Sequence, residues 1–156
     1  MCWIAVSPHG IAKPYFCPSC EAVNAQIYQT KCIQQHLLPF ISLNHQDGNY
    51  IFWPDLASCH YARSTLNLLQ HLNICVVPKE MNPPNCPQLR PIEDFWGMLK
   101  QVVYAKGWRA ENHEQLKRRI KYSLGKIDVH NVQNMMSAIK SKIRKARASG
   151  VENLVH

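Results

Sequence analysis

Apolar positions change their spacing along the chain, and the changes mark out its elements. Cys2 to Ser7 alternates in the two-residue period of a strand. His9-Gly10 and Lys13-Pro14 read as a turn, and Tyr15 to Cys17 as the returning strand. Val23, Ile27, Ile33, Leu37 and Leu38 fall on one face at the 3.6-residue period, which predicts an amphipathic helix over 23–38 ended by Pro39. A polar turn follows, tightest at Asp47-Gly48. Tyr50 to Trp53 is a continuous apolar run, the pattern of a strand buried on both faces. Leu66, Leu69 and Leu72 predict a helix, and Ile74 to Val77 a second buried strand. Strand, helix, strand in that order implies a right-handed parallel crossover.

Met81 to Pro91 holds four prolines and no period, so it reads as a loop. Pro91 suits a first helical position. Ile92, Trp96, Leu99 and Val103 would line one face of a helix to about Lys106, with Trp96 packed on the sheet. Asn112 and Gln115 form a capping pair for the next helix, whose stripe is Leu116, Ile120, Leu124 and Ile127. A last helix turns Val132, Met135, Met136, Ile139, Ile143 and Ala146 inward and stops at Gly150. Lys140, Arg144, Lys145 and Arg147 lie on or near its other side.

Composition narrows the class. At 156 residues and 46% apolar content the chain can bury a core. No apolar run approaches the ~18 residues of a membrane span, and Met1 to Phe16 carries His9, Gly10, Lys13 and Pro14 where a secretory leader would be apolar. A net charge of +8 points to a polyanionic partner or to a basic, inert surface. Seven cysteines, several inside hydrophobic segments, fit reduced thiols better than a disulfide scaffold. Cys17-Pro-Ser-Cys20 has zinc-ligand spacing but lacks a second pair, and Cys32 with His36 is a poor substitute.

Two acids stand out. Asp55 ends the strand at Tyr50 to Trp53, and Glu93 lies in the first turn of the helix led by Pro91; thirty-seven residues lie between them. Oxygen ligands from a strand end and a nearby helix suit a hard divalent cation, and a pair of such cations can drive displacement at a phosphodiester. Each acid also has a plainer role: Asp55 as a turn former, Glu93 as an acid at the positive end of a helix. Asp94 is one helical step, about 100°, away from Glu93 and should not share its target. Asp47 sits in a polar turn at the wrong end of the strand to join Asp55. His60 reads as a core or helix-cap histidine, or as a group positioning a phosphate beside Asp55.

Phe52-Trp-Pro-Asp55-Leu-Ala-Ser-Cys59-His60 and Pro87-Gln-Leu89-Arg-Pro91-Ile-Glu93-Asp-Phe-Trp96 resemble the second and third catalytic motifs of the mariner superfamily of cut-and-paste DNA transposases. Trp3 to Gly10 and Pro14-Tyr-Phe16 resemble the family's hairpin between its first and second acids, so the likeness runs from about residue 2 to the C-terminus. Leu56, Gln88 and Arg90 replace residues common in the motifs.

The resemblance implies an α/β, ribonuclease-H-like mixed sheet flanked by helices, here lacking its first strand, with a C-terminal helical tail. It implies a catalytic core over 1–107 and an extension over 108–156. Asp55 and Glu93 would be catalytic acids and ligands of Mg²⁺ or Mn²⁺, with their carboxylates about 4–8 Å apart to share ions. The family's first Asp and its helix-turn-helix lie upstream of the matched hairpin, so the expectation is a transposase fragment with little activity alone. Lys140, Arg144, Lys145 and Arg147 are candidate DNA contacts. Further implied partners are a second copy of the chain or a full-length transposase, and the implied compartment is the nucleus. The alternative reading is a non-catalytic basic DNA-binding or transposase-interacting module.

Overall fold

The computed structural model describes residues 1–18, 21–84 and 86–150. The chain divides into two compact units, Met1–Ala5 with Ala12–Asn85, and Val6–Ile11 with Cys86–His156.

In the first unit β1 (Cys2–Trp3) pairs antiparallel with β4 (Tyr15–Phe16), Cys2 opposite Phe16 and Trp3 opposite Tyr15. The pairing extends at both ends through Cys17 N–H to Met1 O (3.0 Å) and Ala12 N–H to Ala5 O (2.8 Å). The predicted helix over 23–38 is longer than its pattern suggests. It starts as α1 (Ala25–Ile27), capped by the Asn24 side chain, widens into a π-helix over Tyr28–Leu37, and narrows again into α2 (Leu38–Asn44). Bonds that reach five residues back widen the turn, so the buried positions Tyr28, Cys32, Ile33 and Leu37 recur every four to five residues. Pro39 does not end this helix. It falls in the first turn of α2, just after Leu38 N–H has bonded Ile33 O. There the bonding register shortens and a missing N–H is tolerated.

α3 (Arg63–His71) closes with Asn73 in the left-handed conformation, φ 55°. Asn73 N–H bonds Gln70 O and Ile74 N–H bonds Leu69 O, the paired bonds of a Schellman ending. Leu69 and Ile74 meet in the core, together with Ala5, Ala12, Tyr28, Cys32, Ile33, Leu37, Phe40 and Ile41.

The parallel crossover is present but shorter than predicted. Phe52 and Val76 form a single parallel bridge, with Phe52 N–H to Cys75 O at 2.8 Å and Val77 N–H to Phe52 O at 2.9 Å. Ile51 is 66% exposed, so this strand is not buried on both faces. Its neighbours limit it: Tyr50 N–H is spent on Gly48 O (3.0 Å), Pro54 has no N–H, and Pro78 blocks the partner strand in the same way.

In the second unit β2 (Val6–Ser7) and β3 (Gly10–Ile11) form a two-residue antiparallel pair. α4 (Pro91–Val103) buries Phe95, Leu99 and Val103, and packs on α5 (His113–Leu124) and α6 (Val129–Ser137). The buried stripe therefore runs through Phe95 rather than Trp96, which is only half-buried. Asn112 accepts from Gln115 N–H (2.9 Å), while the Gln115 side chain accepts from Glu111 N–H (2.6 Å), one residue before the predicted partner. The predicted last helix breaks at Ala138 into α6 and α7 (Ile139–Ser149), where Ser137 Oγ takes the Asn134 carbonyl (2.8 Å). Val132 is fully buried, whereas Ile143 is 44% exposed. Gly150, at φ 87°, ends α7 as expected. No helix of the described residues is long and apolar enough to cross a membrane.

Candidate functional site

Asp55 belongs to the first unit and Glu93 to the second, so each takes its setting from different elements. Asp55 follows the parallel bridge by three residues. Its Oδ1 accepts from Ala57 N–H at 2.9 Å, the Asx turn that short polar side chains favour after a strand. The same oxygen lies 2.6 Å from His60 Nδ1, with the Asp side chain 53% exposed. An ionised carboxylate only accepts, so Nδ1 carries the proton. His60 N–H bonds Ala57 O (3.0 Å), closing the turn that carries the ring back to Asp55. That ring is buried and lies against Tyr28, centroids 4.0 Å apart. His60 is thus both a core side chain and a partner of the candidate acid.

Burial sets the chemistry behind Asp55. Desolvation, helped by the nearby Cys32 and Asp55, pushes the Tyr28 phenol far above its usual range. It also pushes the Cys32 thiol up to about 12 and raises Cys59. None of these supplies a nucleophile near neutral pH. Cys17 donates its thiol to Glu21 O (3.4 Å). Its proposed partner Cys20 lies outside the described residues. Asp47 Oδ1 accepts from Asn49 N–H (3.2 Å), a turn role.

Glu93 is exposed in the first turn of α4, where Glu93 N–H bonds Arg90 O (3.1 Å). Asp94 points elsewhere, as the helical step requires, and pairs with Lys142 Nζ of α7. Lys140, Arg144, Lys145 and Arg147 are all exposed on α7. Among the described residues no group of three or more His, Cys, Asp and Glu could hold a metal ion. Asp55 and Glu93 are, by chemistry and exposure, oxygen donors of the kind a hard cation takes, with water completing its shell.

No family model matches the chain, and no curated protein does. Solved structures do. The catalytic domain of Mos1 mariner transposase superposes with a TM-score of 0.80 over 96% of this chain and 73% of that one, at 21% identity. The chain has the fold of that catalytic domain. The Mos1 paired-end complex with Mn matches at TM-score 0.79 and 21% identity, over 97% of this chain and 44% of that one. The Mos1 strand transfer complex matches at 0.75 and 22%, over 96% and 42%.

Within this fold one residue that the pattern of the sequence did not single out braces the Asp55 loop. Asn82, 1% exposed, accepts from Trp53 Nε1 (3.0 Å) and donates to Pro54 O (2.8 Å) and Tyr61 Oη (2.9 Å). Tyr61 in turn donates to Val77 O (3.1 Å). Asn82 therefore fixes the backbone on the N-terminal side of Asp55, while His60 fixes its carboxylate. The sequence does not mark Asn82 out, since the same proline-rich loop also carries the amides of Asn85 and Gln88.

Proposed function

We propose that this chain is part of a mariner-superfamily cut-and-paste DNA transposase. Residues 1–107 would form most of its ribonuclease-H-like core and 108–156 its helical extension. The observation that carries this reading is the mariner catalytic fold over 96% of the chain, with both motif acids, Asp55 and Glu93, exposed. Asp55 and Glu93 would hold Mg²⁺ or Mn²⁺; Mos1 catalytic domain structures have been determined with each metal. When bound, such ions supply an activated water or hydroxyl and neutralise charge at the phosphodiester. His60 holds the Asp55 carboxylate in one orientation, and Asn82 holds the loop that carries it. Lys140, Arg144, Lys145 and Arg147 offer charge to DNA phosphates, in keeping with the DNA complexes of Mos1. A second copy or a full-length transposase is the expected protein partner, and the nucleus the expected compartment.

Cut-and-paste chemistry in this family needs a third acid, on a strand upstream of the matched hairpin. Such an acid would act with Asp55 and Glu93 to clamp the attacking and leaving oxygens in line, and positioning is most of what such a site contributes. The test has two arms. Mn²⁺ titration followed by electron paramagnetic resonance should show weak binding that Asp55→Ala and Glu93→Ala each reduce. Plasmid nicking by a chain that carries all three acids should be lost on Asp55→Ala and on Glu93→Ala. Mn²⁺ binding indifferent to both substitutions refutes the site. A DNA-binding module without catalysis is the second reading, favoured by the basic α7; sequence-selective, nanomolar binding with no nicking by any longer chain would establish it.

A further inference from the structure

Residues 86–156 carry fourteen Lys and Arg against six Asp and Glu, whereas residues 1–85 carry four of each. The whole net charge of +8 thus belongs to the second unit. Within that unit, the junction of α4 and α5 gathers aromatic rings among the cations. The backbone turns there through left-handed conformations at Lys106 (φ 59°) and Gly107 (φ 72°). For the non-glycine Lys106 this is a strained state, of the kind retained where a segment presents a ligand-binding group. The turn sets Trp108 beside Tyr104, centroids 6.3 Å apart. Arg119 donates from Nε to Val103 O (3.0 Å), so its stem is anchored on the last turn of α4. Its guanidinium then lies 5.2 Å from the Trp108 ring centre and 6.0 Å from that of Tyr122. Lys126 Nζ lies 4.4 Å from the Tyr122 ring. Tyr104 remains 49% exposed and Tyr122 57%.

Half-exposed rings contribute little to a core, and one of them, Tyr122, carries two cations while keeping much of its surface in water. The cations repel a positively charged ligand. A plain polyanion would use the charges and leave the rings idle. A duplex keeps its bases stacked on each other, away from the rings. A strand that alternates phosphates with free planar bases uses both features. We propose that Tyr104, Trp108 and Tyr122, with Arg119 and Lys126, form a stacking platform for unpaired nucleotides of single-stranded nucleic acid. This deepens the DNA-handling reading above and requires no metal.

The test uses the full chain and fluorescence anisotropy at one fixed salt concentration. The probes are an oligothymidylate, an abasic deoxyribose-phosphate strand of equal length and charge, and a duplex. The platform predicts that the oligothymidylate binds about tenfold more tightly than the abasic strand, the scale of one stacked base. Tyr104→Ala and Tyr122→Ala should each erode that ratio, while Tyr104→Phe and Tyr122→Phe preserve it. Duplex affinity should be the same in all four variants, which also shows that they fold. Equal binding of thymidylate and abasic strands by the wild-type chain overturns the inference, and so does a ratio that survives both alanine variants. Loss of duplex binding in the wild-type chain would count against the transposase reading alone, since the platform does not depend on duplex.

Discussion

His60 Nδ1 lies 2.6 Å from Asp55 Oδ1, and the two groups differ sharply in setting: the imidazole side chain is 9% exposed, the carboxylate side chain 53%. A buried ring thus holds an exposed acid in place. Replacing His60 by Ala removes a charge-assisted bond and the face that Tyr28 packs on. The expected loss is roughly 2–4 kcal/mol, combining the bond and the cavity, read from urea denaturation. His60→Asn keeps a nitrogen donor near the Nδ1 position and should recover part of it.

Asn82→Leu is expected to cost about 1–3 kcal/mol despite its similar branched shape. Three groups, Trp53 Nε1, Pro54 O and Tyr61 Oη, would lose their common partner in a buried place. Trp53 fluorescence should shift to the red as its indole finds water. A stability equal to wild type would mean that the surrounding groups pair among themselves.

Asp94 and Lys142 join α4 to α7, with side chains 43% and 30% exposed. Solvent screens such a pair, so a double-mutant cycle with Asp94→Asn and Lys142→Met should return only about 0.2–1 kcal/mol. The coupling should shrink in high salt. A value several-fold larger would show that the pair is shielded from water in solution.

Duplex binding should weaken steeply with salt. Changing Lys140, Arg144, Lys145 and Arg147 to Gln should flatten the slope of log K against log salt by roughly 0.9 for each phosphate no longer neutralised. An unchanged slope would assign the DNA contacts to other cations of the second unit.

Cys32 is fully buried and its thiol is pushed up to about 12. A pKa above that of a free thiol leaves almost no thiolate at pH 8, so alkylation should be slow until the chain unfolds. Among the described cysteines Cys75 is exposed and should label first. Peptide mapping after brief iodoacetamide treatment gives the order.

The sequence carried the element order well where one rule governed each element. Pro91 at a helix start, Asn112 and Gln115 as a cap, and Gly150 as a stop all act through the nearest few residues. It misled where bonding register changed. The face from Tyr28 to Leu37 follows a π period, and only the three-dimensional core selects that over 3.6 residues. Trp96 outranks Phe95 as a core candidate by size, yet the packing of α4 buries Phe95. The place of Asp55, in a turn just after a short strand, was legible from the pattern around it. The brace on its loop was not, because Asn82 acts through a side-chain bond to Pro54 O that spans 28 residues, which no local pattern encodes.

Pro54 and Pro78 each follow the Phe52–Val76 bridge by two residues. A β-strand recruits a foreign strand through free N–H groups along its edge. Here both strands lose that donor just past their single pairing, so neither can be extended in that direction by another chain. The brevity that makes this pair a weak structural element also makes it a poor seed for aggregation. The chain can therefore expose Ile51 beside it without offering the long, flat edge on which fibrils grow.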